Sequence, residues 1–413
     1  MSASAVERAF REESGRVLAT LIRHLGGNFE LAQDALQDAF TTALTTWSRD
    51  GPPANPGAWI TVAARRCAID RLRRERTLAD RMATLQGLMD IDRQAEPEEE
   101  SRGAMADDRL RLIFTCCHPA LALEARVALT VRTLGGLTTA EVARAFLVPE
   151  ATMAQRIVRA KRKIRAAGIP YRVPDDEALP QRLAGVLAVV YLIYNEGYAA
   201  TDAQRLVREE LCAEAIRLAR LLTELMPDDA EAAGLLALLL LHDARRPARI
   251  DDDGRFVALA EQDRACWDAE ATAAGMAALR RAMALRRPGP YQLQAAISAQ
   301  HTVAPSAETT DWGRIAALYR DLARMAPSPV VEVNRAVAVA MVEGPVAGLA
   351  LLDALGVDQR LHAYQPFHAA RAELLRQAGD RAGADRAYLR AIDLSANAVQ
   401  RAELERRRVA APG

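Results

Sequence analysis

The apolar positions of this chain recur at helical spacing almost from end to end. Residues 5–25 and 29–48 each carry an apolar stripe at intervals of three and four, broken at Gly26-Gly27-Asn28, and predict two amphipathic helices. A loop rich in Gly and Pro (50–57) precedes a third helical pattern over 58–81. From 82 to 106 the apolar content falls away after Ile91, and Pro97 with Glu98-Glu99-Glu100 marks an acidic linker. Helical pattern resumes near Asp107, breaks at Pro119 and Gly135-Gly136, and ends around Gly168-Ile169-Pro170. From about Asp175 helix follows helix, with breakers near Pro227, Pro247, Pro288–Pro290, Pro305, Pro327–Pro329 and Gly344-Pro345. Ala, Leu, Arg and Glu dominate and the sequence has no alternating β-branched runs, so the expected fold class is all-α.

The sharpest local pattern lies at 137–168. Thr138 followed by Glu141 forms a capping box, in which the hydroxyl caps one free N–H and the carboxylate reaches back to another. A short helix then runs to about Phe146 and is stopped by Val148-Pro149, because a residue before proline avoids the α region. A second helix from Glu150 places Met153, Ile157, Ala160 and Ile164 on one inward face. Thr152, Gln155, Arg156, Arg159, Arg162 and Lys163 fall largely off that face. Small polar groups at the N-terminal end and cations further along are what a helix in the DNA major groove needs. A solvated face on an ordinary helical hairpin is the alternative reading. Leu147 also stands where many such turns carry glycine.

Length and charge add a division of labour. With 413 residues the chain exceeds one compact core, so two or three domains are expected. Residues 1–174 hold 26 Arg and Lys against 21 Asp and Glu, and the remainder 28 against 33. A basic front and an acidic rear suit a nucleic-acid binder with an appended protein-binding part. The longest apolar stretches, Leu183 to Tyr194 and Ala232 to Leu241, are too short to cross a bilayer, and the N-terminus has no apolar signal core. Five cysteines, two of them adjacent, make no disulfide framework. A cytoplasmic protein is expected.

Motif order then carries a resemblance. The segment DALQDAFTTALTTW (34–47), a Gly/Pro loop, PGAWITVAARRCAIDRLRRER (56–76), an acidic linker and the helix-turn-helix resemble, in that order, the extracytoplasmic-function (ECF) sigma factors. The resemblance covers about residues 5–170. It implies sigma region 2 over 1–81, a linker over 82–106 and sigma region 4 over 107–172. Asp34, Gln37, Asp38 and Phe40 match the helix that docks on the clamp helices of the largest subunit of core RNA polymerase. Trp59, Arg65, Arg66, Asp70, Arg71, Arg73 and Arg74 match the region that recognises and melts the −10 element of promoter DNA, with Asn55 the candidate in the adjoining loop for a captured base. The helix-turn-helix corresponds to the −35 reader. Glu96 and Glu98–Glu100 would mimic RNA in a cationic channel, or simply be solvated. Cys67 departs from the pattern, standing where the family often has Asn.

Residues 175–413 extend past a minimal ECF factor and resemble a tetratricopeptide-like (TPR-like) helical repeat domain, most clearly from Tyr364 to Arg401. Glu214 to Asp228 and Ile315 to Pro327 resemble one another, whereas Arg246 to Ala273 does not fit the period. Tyr194, Asn195, Glu196 and Tyr198, with Tyr291, Gln292, Gln294 and His301, are candidates for a regulatory or interdomain site, against buried polar core groups as the alternative. Such a domain implies a possible protein partner. Cys116-Cys117-His118 lacks a second pair at zinc-ligand spacing, and Asp251-Asp252-Asp253-Gly254 lacks EF-hand spacing, so no metal or other cofactor is expected. Nothing in the motifs points to an enzyme. A regulator that binds duplex DNA alone and a repeat scaffold that binds proteins remain the competing functions.

Overall fold

A computed structural model describes residues 2–74, 108–134, 137–146, 148–198, 207–251, 253, 255–395 and 397–409. The expected acidic linker, with Glu96 and Glu98–Glu100, lies outside them, as does Leu147. All regular structure among the described residues is helical, apart from an isolated bridge between Ile250 and Phe256. Two compact units form, Met1–Ile193 and Tyr194–Gly413.

The first unit opens with α1 (Ser2–His24), α2 (Phe29–Asp50) and α3 (Pro56–Arg74), packed on one another. Gly26 and Gly27 take φ of 60° and 85°, the left-handed region that glycine enters at little cost, and Asn28 then caps α2 by accepting from the Leu31 N–H at 3.1 Å. The core is aromatic at its centre. Phe40 meets Phe10 edge-on at 5.0 Å, and the fully buried Trp47 meets Trp59 at 5.5 Å.

A second module follows: α4 (residues 108–116), α5 (Leu123–Thr133), α6 (Thr139–Ala145) and α7 (Glu150–Ala166). It packs directly onto the first. Asp108, 1 % exposed, receives the Arg23 Nε at 2.8 Å. The Tyr171 hydroxyl sits 2.8 Å from the Ala19 carbonyl and 3.1 Å from that of Asp108, and its ring meets Phe29 edge-on. Burial pushes the Tyr171 phenol far above its ordinary value, so it remains a neutral donor. On α2, Glu30 pairs with Arg165 at 2.9 Å, and Gln33 accepts from Lys161. α8 (Leu179–Tyr198) begins in this unit, where Arg182 donates to the Phe114 carbonyl at 2.7 Å.

The second unit is a series of helices: α9 (Glu209–Leu225), α10 (Ala230–Asp243), α11 (Ala269–Ala284), α12 (Pro290–Val303), α13 (Trp312–Met325), α14 (Pro329–Glu343), α15 (Pro345–Leu355), α16 (Gln365–Gln377), α17 (Arg381–Asp393) and α18 (Ala398–Val409). Each packs chiefly on its neighbours in the chain, with α10 also against α12. The expected kinship of the two Met-containing helix ends is visible in the backbone. Met226 and Ala326 end α9 and α13 with φ/ψ of −130°/67° and −135°/74°, and each returns its N–H to the carbonyl four residues back at 2.8 Å. At the far end Gly379 turns the chain with φ 84°, and Ala372, Ala387, Tyr388, Ala391 and Leu404 interlock α16, α17 and α18. Residues 246–251, 253 and 255–268, within the stretch expected not to fit a repeat period, form two 3-10 turns and irregular chain.

Asp108 is the most deeply buried charge holding the two front modules together. Asp108→Ala is expected to destabilise the first unit by about 1.5–3 kcal/mol, the range of a charge-assisted hydrogen bond, measured by urea denaturation.

Candidate nucleic-acid interface

The helix-turn-helix is built by its own sequence. The Thr138 N–H donates to Glu141 Oε2 at 2.6 Å and the Glu141 N–H to Thr138 Oγ1 at 3.1 Å, both arms of the expected capping box. Pro149 precedes α7, whose Met153, Ile157, Ala160 and Ile164 are all buried. That fixes the rotation of the helix. Thr152, Gln155, Arg159, Arg162 and Lys163 are exposed and Arg156 is half-buried. None of these six side chains forms a hydrogen bond or ion pair with a described residue, so a cationic face stands open over three turns of helix. Lys161 and Arg165 point elsewhere, to Gln33 and Glu30 of α2. Burial, with Arg132 nearby, holds the Lys161 amine below its usual range.

On α3, Trp59 is half-buried against Trp47, Arg66 and Asp70 are exposed, and Arg65 is half-buried beside His24. The backbone at Arg73 and Arg74 is helical. Asn55 has a structural duty, since its Oδ1 caps α3 by accepting from the Ala58 N–H at 3.0 Å. Arg71 ties α3 to α2: its Nε and Nη2 reach Asp38 at 3.0 and 2.8 Å, and its Nη1 reaches Asp34 at 2.6 Å. Two expected polymerase-facing carboxylates and one expected DNA-facing cation thus form a single cluster. Gln37 is exposed beside them, and Phe40 is buried in the bundle. The sequence pattern could not reveal this cluster, because its members are 33 and 37 positions apart.

In the second unit the eight tail candidates fall into separate environments. Tyr194 and Tyr198 stack at 5.4 Å, with His242 6.5 and 5.7 Å from their rings. Glu196 pairs with Arg208 at 3.1 Å, and Asn195 is half-buried. Gln292 is buried, and the Tyr291 and Gln292 N–H groups donate to Glu231 at 2.9 and 3.1 Å, so this carboxylate caps the start of α12. Gln294 donates to the Pro290 carbonyl of its own helix at 3.3 Å. His301 meets Trp312 edge-on at 5.2 Å. The His301 end of the second segment therefore shares its surroundings with other groups than Gln292 does. Asp251 accepts from the N–H groups of Asp253 and Arg255, an acidic turn, and no metal-holding group of three or more ligands occurs among the described residues.

The front unit thus holds two adjoining helical modules, the second with an open cationic helix face. The sigma-70 region 2 family model matches residues 10–77, and the sigma-70 region 4 model matches residues 111–164. A family of unknown function, DUF6596, matches residues 182–283. A protein of Rhizobium meliloti (strain 1021), "Uncharacterized protein R00370", is 45 % identical over 389 residues, which cover 94 % of this chain and 91 % of that one. No solved structure matches. The chain belongs to the ECF-type sigma factors that carry a C-terminal extension. It is an alternative sigma factor for promoter-specific transcription, and its extension is a domain of unknown function. No described helix is long and apolar enough to cross a membrane.

The adjacent cysteines belong to the packing of the region 4 module. Cys116 and Cys117 are buried, and Cys117 lies 3.4 Å from the Thr130 hydroxyl. Burial pushes the Cys117 thiol up to about 11 and Cys116 higher still, which suppresses the reactive thiolate. Under native alkylation Cys266, which is exposed, is expected to react first, with Cys116, Cys117 and Cys212 labelled only on unfolding. Mass mapping of the modified peptides checks this.

Proposed function

We propose that the open face of α7 reads the −35 element, with Thr152 and Gln155 towards base edges and Arg156, Arg159, Arg162 and Lys163 towards phosphates. The observation that carries this is the combination of a fully buried opposite face with six unengaged polar and cationic side chains. In the same reading, Trp59, Arg65, Arg66, Asp70, Arg71, Arg73 and Arg74 of α3 work on the −10 element, with Asn55 in the loop before it. Asp34, Gln37 and Asp38 face the polymerase clamp helices, and Phe40 supports them from inside the bundle. Arg71 would then be shared, held by Asp34 and Asp38 in the free protein and available to DNA once the clamp engages those carboxylates.

We assign residues 1–81 to region 2, 82–106 to the linker, 107–172 to region 4 and 175–413 to a TPR-like domain, acting in the cytoplasm. The serial packing of α9 to α18 supports the last assignment, because stacked helical pairs leave a long face for a protein partner. That domain regulates the activity of the front modules or recruits such a partner.

Run-off transcription with core polymerase tests the reading. Arg156→Ala with Arg159→Ala should weaken holoenzyme binding to a responsive promoter about 10–100-fold, and reduce the slope of log affinity against log salt by about one for each phosphate that is no longer neutralised. An unchanged slope would remove α7 from the interface. Truncation after Arg172 separates the two roles of the tail: increased transcription marks inhibition, and abolished transcription marks a required domain.

A further inference from the structure

The second unit buries positive charge that no ion pair among the described residues balances. Arg245, two residues after α10, is only 7 % exposed, its Nε is buried without a hydrogen-bond partner, and it forms no ion pair with a described residue. Arg249, 6 % exposed, lies 3.8 Å over the Tyr198 ring and donates to the Tyr198 carbonyl. Arg264 donates to the His301 and Ala304 carbonyls and lies 5.2 Å from the Trp267 ring. None of the three forms an ion pair with a described carboxylate, and Glu308, which is exposed to solvent, acts on Arg264 only from a distance. Asp243, the nearest acid in the chain to Arg245, is taken by Arg246 at 3.1 Å.

The neighbours of these arginines are donors too. The Arg245 N–H returns to the His242 carbonyl at 3.3 Å, the His242 ring lies 5.7 Å from that of Tyr198, and the Asp268 N–H donates to the Ala244 carbonyl at 2.8 Å, which brings the chain at Trp267 beside that at Arg245. The Tyr194 hydroxyl, the Trp267 indole N–H and the Ser298 hydroxyl are buried without a hydrogen-bond partner. Ser298 lies one helical turn before His301 on α12, and so shares its face. His301 is held down to about 4 by burial and then by Arg245 and Arg264, so at neutral pH it adds no charge and keeps a ring nitrogen free to accept or donate. A buried guanidinium without a counter-charge is unfavourable unless an acceptor fills the space. The guanidinium and indole N–H groups can only donate and the two hydroxyls can donate, so beside a buried cation they favour a group that accepts. Their burial excludes a macromolecular surface.

We propose that Arg245, Trp267 and Ser298, flanked by Arg249 and Arg264, form a binding site for the oxyanion of a small molecule, a carboxylate or a phosphate. The site joins the DUF6596-matching residues 182–283 to α12 beyond them. It also explains why residues 246–268 leave the helical repeat: that segment carries Arg249, Arg264 and Trp267 to the places where they meet Tyr198 and His301. This inference stands apart from the promoter reading, since its test does not involve DNA.

Thermal unfolding and calorimetry of the full chain, in inorganic phosphate, sodium acetate or sodium chloride at equal ionic strength, test it. One of the two oxyanions should raise the unfolding temperature saturably, by about 5 °C at a hundredfold excess over its Kd, and chloride should not. Phosphate and acetate thereby distinguish the two ligand groups. Arg245→Met should abolish the shift while unfolding in chloride at or above the wild-type temperature, because an unpaired buried charge has gone. Should Arg245→Met fail to fold, Trp267→Phe and Ser298→Ala serve instead, each weakening binding in calorimetry about tenfold, the value of a hydrogen bond to a charged group. Absence of a saturable shift with both oxyanions overturns the proposal. So does an equal shift in wild type and Arg245→Met, or unchanged affinity in both substitute variants.

Discussion

The front half of this sigma factor depends on one buried carboxylate. Asp108 lies on α4, accepts from Arg23 of α1 and, through its carbonyl, sits beside the Tyr171 hydroxyl, which also meets Ala19. An ionised group at 1 % exposure persists only where cations and donors surround it. That requirement places the end of α1, the start of α4 and the chain after α7 at one point. With them fixed, α7 can give Lys161 and Arg165 to α2 and still turn its other cations outward. The division of the cations of α7 between an internal and an external duty follows from this register.

The rear unit is organised on another principle. Its helices bury apolar faces against chain neighbours, so polar groups inside it need local partners, and most have them: Glu231 caps α12, Tyr388 donates to Glu373 at 2.9 Å, and Glu403 binds Arg406 and Arg407. Most of the exceptions lie around residues 245–267, where irregular chain interrupts the helices and Arg245 has no ion-pair partner among the described residues. Local satisfaction elsewhere makes that imbalance informative, since a generally loose interior would distribute unpaired groups without pattern.

Features governed by short-range physics were legible in the residues alone. The capping box of Thr138 and Glu141, the glycine break at 26–27 and the buried stripe of α7 each depend on spacings of one to four positions, and each is present in the fold. The region 2 and region 4 assignments were legible because motif order is a property of sequence. The pairing of Arg71 with Asp34 and Asp38 was not, because a cation on an exposed helix face has the same local pattern whether it meets DNA or a neighbouring helix. Gln292 stands out in the sequence for unusual polarity, but its hydrogen bond to Glu231 spans 61 positions. Arg245, Arg249 and Arg264 do not stand out: in a chain whose cations are nearly all arginine, only their surroundings in the fold distinguish them. An arginine pair directly behind the apolar run of α10 was the signal available.

The span of the contacts also sets an order of assembly. The contacts that close the front unit join residues 85, 128 and 152 positions apart: Arg23 with Asp108, Gln33 with Lys161 and Ala19 with Tyr171. Those of the rear unit join mainly successive helices. Loop closure makes long-range contacts slow and nearest-neighbour contacts fast. On a ribosome, region 2 therefore emerges and waits for roughly a hundred further residues before its partner surface exists. The extension, synthesised last, can fold as it leaves. The part of the protein that reads promoters is thus the kinetically exposed part, and its apolar seam around Phe29 and Tyr171 is the surface most in need of protection during synthesis.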